Sequence, residues 1–534
     1  MNKKETINFV LVLSLSFVLG IIGINWGLPS ETLHLQTYHP DEVWVLVSFQ
    51  KMNPKRLDFN PHFFPWGTFH FYVVGAFLYF LSLFKAVTLE PSKEFYILHL
   101  TEIDKLYVAG RLVSVFATVG TVFFLFRIAE KLYSRRTAIF SALIMSILPL
   151  SVANAHYMKP NALGVFLIVL TCWVSLRILS LQSFPTYALA GFVAGLACAT
   201  KYNGIWAVFF PLMFHFLLPY KERKNIFLIY TFLFFFLGFF TGCPYSLLAF
   251  KEFKEGIFYE LDKFILVQHG DIGNPFFYHL FFSLRYGMGT PLFLLSIFSW
   301  CWSLVRKEKK SRFFSLWVFS YYLFICVFFK SKFARYMLPL LPFLSLLSGE
   351  FLTRIPFRKW RYFPLLVILF FFYNFLYVLS YDKLFLSPDP RTEASRWIEE
   401  NIPVKSSIGV IFEPYFFTPP IIYMEYWVEG ESAYNRGQPE KFNQYSILVW
   451  RKEKWRKEKP EYLVISEYEI RDFLRFPYLF PQEKELIEEI QRDYILIKKF
   501  DTPLTLGKMR FRKGFPPHDL LYPFPYVEIF KLKK

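Results

Sequence analysis

The sequence predicts a polytopic α-helical membrane protein of about eleven transmembrane helices, with a small extracytoplasmic α/β domain at the C-terminal side. Three observations lead there. Hydrophobic residues make up 54% of the 534, phenylalanine alone contributing 69, and the mean hydropathy is +0.32. Runs such as "FVLVLSLSFVLGIIGI" and "IYTFLFFFLGFFTG" approach or reach the ~20 apolar residues that cross a bilayer. Beyond Tyr381 such runs stop and charges of both signs take over.

Charge orders the elements. Lys3 and Lys4 place the N-terminus in the cytoplasm, ahead of a first span over 7–28. That run is too long for a cleaved signal peptide, and no small-x-small site follows it. A first outer loop, 29–105, precedes a span over 106–126 that ends in the basic "RIAEKLYSRR". For this segment to be cytoplasmic, the apolar stretch 67–87 must be interfacial or re-entrant rather than crossing. Spans over 137–155, 160–180, 186–201, 204–219, 226–248, 288–305, 313–330, 337–352 and 362–380 then leave "YKERKN", "RKEKKSR" and "TRIPFRKWR" inside. The net charge of +18 is thus a topology signal and does not point to nucleic acid. Residues 1–380 form the membrane domain of an inner-membrane protein and 381–534 the outer domain. In the latter, "TEASRWIEENI" and "KELIEEIQRD" have helical period, while "SSIGVIF", "EYLVIS" and "YILIKKF" read as strands. All five cysteines lie in apolar runs, so no disulfide is expected in the loops or the tail.

"TYHPDEVWVL", residues 37–46, places His39, Asp41 and Glu42 beside the first span. Asp41 is a good N-cap for a helix starting near Glu42, or the pair are solvated loop residues. The functional reading makes one carboxylate a general base and the other a ligand for a cation or an orienter of substrate; no fixed metal-ligand spacing supports a metal by itself. Basic residues stand where the positive-inside rule disfavours them: Lys159, Lys201, Lys330, Lys332 and Arg335. Each alone reads as a snorkelling side chain; together, facing the side of Asp41, they suit a lipid phosphate. The segment 263–287 adds His269, Asp271, His279 and Arg285, as either a loop over a site or an ordinary interfacial loop.

The motif "YHPDE" resembles the acidic motif of the GT-C glycosyltransferases, most closely the family of protein O-mannosyltransferases and lipid A aminoarabinose transferases (glycosyltransferase family 39). "AGRLVSVFATVGTV", "LPLSVANAHYMKPNAL", "GLACATKYNG", "KFARYMLPLLP" and "DPRTEASRWIEENIP" are similar to later family segments, in order. The resemblance implies an enzyme that moves a sugar from a polyprenyl-phosphate-linked donor to a lipid, glycan or protein acceptor, with inversion and with Asp41 as base beside Glu42. It implies substrate-binding roles for His39, Lys159, Asn161, Lys201, Tyr202, His269, Lys332, Arg335 and Tyr336. Many relatives have an acidic residue at the position of Asn161, so a divalent metal (Mg or Mn) on Asp41 and Glu42 is an open expectation. Two other classes remain: a transporter or lipid flippase, which calls for inverted repeats and broken helices, neither evident in the sequence, and a non-catalytic scaffold with an outer binding domain.

Overall fold

The computed structural model describes residues 3–32, 35–262, 271–355, 362–420, 445–450 and 459–533. The apolar runs read from the sequence are largely helical, although the first helix, Lys3–Ile21, ends short of the expected 28 in turns at Gly23 and Gly27. Among the described residues, Leu100–Leu132, Pro160–Leu179, Lys309–Phe328, Ala334–Arg354 and Phe363–Asn401 are apolar and long enough to cross a membrane. Shorter apolar helices, including Phe184–Thr200, Ile226–Gly242 and Thr290–Val305, fill further predicted spans. The protein is a multi-pass membrane protein. Ile229, Phe232, Leu233, Phe236 and Leu237 are exposed on one helix and Leu365, Ile368, Leu369 and Phe372 on another. An apolar surface of this extent is one that lipid, not water, covers.

Small residues bring helices together where no hydrophobic drive exists between them. Gly195 of Phe184–Thr200 faces Gly238 of Ile226–Gly242, and a Cβ at Gly191 would meet the Thr231 carbonyl oxygen. Phe69–Leu83 packs on Leu100–Leu132 through a buried face of His70, Phe71, Val74 and Leu78. Its 15 residues reach about 22 Å at ~1.5 Å each, short of a ~30 Å hydrocarbon core.

Contrary to the sequence reading, broken helices are present. Arg135–Ser146 and Pro149–Ala155 meet at 62°, because Pro149 forces Leu148 out of the helical region (ψ 120°). Phe184–Thr200 gives way at Lys201 to a 3₁₀ turn, Tyr202–Val208, and another, Ala334–Leu340, leads into Leu341–Arg354. Irregular backbone at such depth is tolerated where it is buried in protein or lines a cavity.

The helix Phe363–Leu386 runs past the change of composition at Tyr381 before the C-terminal domain begins. That domain carries a sheet of strands β1 (Ser407–Val410), β2 (Ser446–Val449), β3 (Tyr462–Ser466), β4 (Tyr494–Phe500) and β7 (Val527–Leu532), in the order β2-β1-β3-β7-β4; β5 (Thr505–Leu506) and β6 (Met509–Arg510) form a separate hairpin. β1 pairs parallel with β2 and β3, and β7 antiparallel with β3 and β4. Alternation along β3 splits the core: Tyr462 and Val464 pack with Ala394 and Ile398 of helix Pro390–Asn401, Leu463 and Ile465 with Ile470, Leu486 and Ile490. Helix Glu467–Arg475 starts with a capping box, Ser466 and Glu469.

The domain is clamped to the helices. Arg391, fully buried, pairs with Asp389 at 2.7 Å, and Asp389 accepts from the Trp26 indole at 3.1 Å. Arg391 also donates to the carbonyls of Phe416 and Tyr522. Asp271 pairs with Arg471 at 3.0 Å.

A candidate active site around Asp41

The two carboxylates of "HPDE" point to different partners. Glu42 is fully buried and uses every acceptor position it has. Arg111 donates from Nε to Oε1 at 2.9 Å and from Nη2 to Oε2 at 2.7 Å; the Met158 N–H reaches Oε1 and the Thr37 hydroxyl Oε2, both at 2.6 Å. The remaining Arg111 donor, Nη1, serves the carbonyls of Ile24 and Trp26. Burial alone would raise the Glu42 carboxyl, but Arg111 reverses this and holds it low. Glu42 ties the first loop to helix Leu100–Leu132 and to the turn before Lys159. With both oxygens taken up in these contacts, its placement is that of a structural anchor.

Asp41 faces the other way. The helix beyond it, Val43–Lys51, has Glu42 at its N-cap and no side-chain cap, so the Asp41 carboxylate does not cap. It accepts from Lys159 Nζ, and Arg335 Nη2 lies 3.7 Å away. Burial would raise this carboxyl; Lys159 first, then Arg335, hold it well below the usual range. The His39 ring is wedged between Tyr157 and Tyr522, with centroids at 4.4 and 4.6 Å. Its Nδ1 accepts from the Asp41 N–H at 3.2 Å, which puts the ring proton on Nε2. Burial, then Lys159, pushes His39 down to about 3, so it is neutral.

The cations arrive from three chain breaks. Pro160 opens a helix and keeps Lys159 extended (φ −133°, ψ 151°), which turns its side chain to Asp41. Lys159 is 3% exposed, and its ammonium sits 4.3 Å from the Trp66 ring centroid. It does not snorkel to water. Burial lowers its pKa to about 8 against the pull of Asp41. Lys201 is extended where helix Phe184–Thr200 ends. Its Nζ donates to Asn161 Oδ1 at 2.7 Å, and Asn161 in turn donates to Asn154. Tyr336 presents its ring 5.5 Å from the same ammonium. Arg335 opens the turn Ala334–Leu340, stacked 3.9 Å over Phe333; its Nη1 is buried with no hydrogen-bond partner. Asn161, Lys201, Asn203 and Arg335 line a small pocket.

Asp41, Lys159, Asn161, Lys201, Arg335 and Tyr336 therefore come together, with His39 alongside. Tyr202 instead donates to the carbonyls of Phe64 and Trp66 at 2.7 and 3.0 Å, steadying the loop that brings Trp66 to Lys159. Lys332 turns away, donating to the Lys330 carbonyl and facing Asp271 and Asp472. His156 is taken up with the carbonyls of Val152 and Ile22, and His279 with Ser283. His269 lies outside the described residues.

Three residues were missed by the sequence reading. Arg111 carries a signal, being an arginine inside an apolar span, where charge calls for a partner. Glu260, the last residue of helix Phe250–Glu260, faces Lys201, Asp41, Arg335 and Lys159; burial raises its pKa to about 7. Asp519 of the C-terminal domain accepts the N–H groups of Ala334 and Arg335, each at 2.9 Å. Neither acid stands in a motif.

The donor set does not fit the divalent metal considered above. Glu42 has no free oxygen, Asp41 already answers two cations, and no group of three or more His, Cys, Asp or Glu side chains able to hold a metal gathers among the described residues. Lys159, Lys201 and Arg335 at the same spot suit an anion.

Residues 91–245 match the family model described as dolichyl-phosphate-mannose-protein mannosyltransferase, which bears out the resemblance read from the motifs to the GT-C glycosyltransferases. An uncharacterized protein of Aquifex aeolicus (strain VF5) is 26% identical over 230 residues, 42% of this chain; the match spans 45% of that relative's length. Among solved structures, ArnT from Cupriavidus metallidurans bound to undecaprenyl phosphate aligns over 97% of both chains with 11% identity and a TM-score of 0.48. The archaeal oligosaccharyltransferase AglB from Archaeoglobus fulgidus, in complex with an inhibitory peptide and a dolichol-phosphate, aligns over 98% of this chain and 77% of its own with 11% identity and a TM-score of 0.47.

Proposed function

We propose that the chain is an integral-membrane glycosyltransferase that takes a sugar from a polyprenyl-phosphate carrier and passes it to an acceptor on the extracytoplasmic face of the inner membrane. The observation that carries this reading is the pairing of Lys159 and Arg335 with Asp41, with Lys201 held beside the same cluster through Asn161. The family match over 91–245 supports the same class.

In this reading the carrier phosphate enters beside Arg335 and Lys201, where Arg335 Nη1, buried without a hydrogen-bond partner, can meet one of its oxygens. Arrival of the phosphate draws Arg335 and Lys159 away from Asp41. The carboxylate loses the partners that depress its basicity and becomes a better proton acceptor. Asp41 then takes the proton of an acceptor hydroxyl or amine as that atom bonds to the anomeric carbon. The bond from that carbon to the phosphate oxygen breaks on the opposite side, giving inversion, and the electron pair leaves with the phosphate. Its growing charge is met by preformed donors, which stabilise the transition state most where water is excluded.

The test uses purified protein with a polyprenyl-phosphate sugar and an acceptor drawn from extracts of deletion cells, following release of free polyprenyl phosphate. Arg335→Ala and Lys201→Ala should each cut turnover about tenfold or more, with ~1.4 kcal/mol of transition-state stabilisation per factor of ten. Wild-type rates in both variants would remove the phosphate role. A lipid-phosphate flippase is favoured by the broken helices alone; it would move labelled carrier across a vesicle membrane without cleaving it.

A further inference from the structure

The 3₁₀ turn His518–Leu520 reaches from the C-terminal domain into the side of the site and is held at three successive points. The His518 N–H donates to Asp271 Oδ2 at 3.0 Å. The Leu520 carbonyl accepts from the Tyr381 hydroxyl at 2.7 Å. The Tyr522 carbonyl accepts from Arg391 at 2.7 Å, while the Tyr522 ring packs on His39. A segment fixed on both sides has little freedom to move the residue between, and that residue is Asp519, 6% exposed.

The Asp519 carboxylate takes the N–H groups of Ala334 and Arg335 one on each oxygen, both at 2.9 Å. These are N–H groups at the start of the Ala334–Arg354 helical segment, where a carboxylate is favoured by unpaired donors and by the helix dipole. The cap comes from another domain, and it fixes the backbone from which the Arg335 side chain departs. Its second effect is on the side chain itself. Asp519 Oδ2 stands 3.8 Å from Arg335 Nη1, near enough to orient the guanidinium but too far to hydrogen-bond it. Nη1 is therefore left buried and unsatisfied, an arrangement that costs free energy unless an acceptor arrives.

We infer that Asp519 is the positioning residue for Arg335, so that the C-terminal domain completes the phosphate-binding site formed by the helices. This rests on the phosphate reading of Arg335 given above. It assigns the domain a part in carrier recognition, separate from any contact it makes with an acceptor.

The experiment measures binding of undecaprenyl phosphate, and of the corresponding polyprenol without phosphate, to full-length protein in detergent. The variants are Asp519→Asn, Asp519→Glu, Arg335→Ala and the double variant Asp519→Asn/Arg335→Ala. Asp519→Asn should weaken phosphate binding about tenfold and leave polyprenol binding unchanged. Asp519→Glu, which keeps the charge, should recover most of the loss. In the double variant Asp519→Asn should add nothing to Arg335→Ala, as expected of two residues acting through one contact. Wild-type affinity in Asp519→Asn, or a full additional loss in the double variant, overturns the inference. So does equal loss of polyprenol binding, which marks a general disturbance; should Asp519→Asn fail to fold, Asp519→Glu decides by the same ratio. If the wild type does not prefer the phosphate to the alcohol, the phosphate reading itself fails, and that result is distinct from all the others.

Discussion

Asp41 and Glu42 are neighbours in sequence with opposite fates, and substitutions should separate them. Asp41→Asn keeps the shape and removes the base. Turnover should fall roughly 10²–10⁴-fold; stability should fall less than in Glu42→Gln, because Asp41 is partly exposed and Lys159 can release its proton. Glu42→Gln leaves the buried Arg111 (0% exposed) without its counter-ion, which should cost about 3–5 kcal/mol of stability. Thermal unfolding in detergent together with an assay of carrier release distinguishes the two outcomes. Glu260 makes a third residue-scale prediction. Its pKa of about 7 in the fold stands above the 4.5 of an ordinary glutamate. The folded protein thus keeps a proton that the unfolded chain gives up between those values. Its contribution to stability is complete below about pH 4.5 and is lost as the pH rises toward 7. Glu260→Gln should flatten that decline in a pH series of melting temperatures; an unchanged slope would show that Glu260 is not the group responsible. From the sequence, the types of residue at the site were legible: Asp41, Lys159, Lys201 and Arg335 stand where their chemistry conflicts with their surroundings. The direction of each side chain was not. Which of two adjacent carboxylates is spent on structure depends on Arg111, whose Cα lies on a different helix and whose sequence position says nothing of the distance.

The helices themselves were readable because apolar length is a one-dimensional property, and so were helix Pro481–Asp493 and strands β1, β3 and β4 from their periods. What went unread at this scale were the interruptions. Pro149 and Pro160 were visible, yet a 62° bend depends on what the freed carbonyls find in three dimensions. β2 and β7 were also missed; "SILV" is too short for a period to show, and β7 earns its place only by pairing between β3 and β4. Glycine contacts allow a prediction for helix packing. Gly238→Leu drives a side chain into the Phe192 backbone and should destabilise by about 1–3 kcal/mol or more. Gly164→Ala would meet Lys201 and Thr200 at an ordinary 3.9 Å and should be tolerated, with melting temperature as the measure for both.

For the whole molecule, the site and the C-terminal domain share one end of the helical bundle, joined by Asp389–Arg391, Asp271–Arg471 and Asp519. The loop charges read from the sequence lead to the expectation that this end is extracytoplasmic. In a background lacking the native cysteines, Ser30→Cys should react from outside intact cells with a membrane-impermeant thiol reagent, and Lys307→Cys should not; the reverse pattern would invert the topology. Both positions are exposed, so protection of Lys307→Cys would reflect the membrane rather than burial.

Among the described residues, Asp519 follows every helix long and apolar enough to cross a membrane. During synthesis Asp41, Lys159, Lys201 and Arg335 are all inserted well before the carboxylate that fixes Arg335 has been made, by on the order of tens of seconds at ~5–20 residues per second. Over that interval the nascent chain has its cations but not their alignment. If the proposed phosphate site is right, an arrested or truncated chain holding the helices alone would occupy the membrane without binding a carrier phosphate tightly. On the inference drawn for Asp519, the late carboxylate would delay competence until the C-terminal domain has folded.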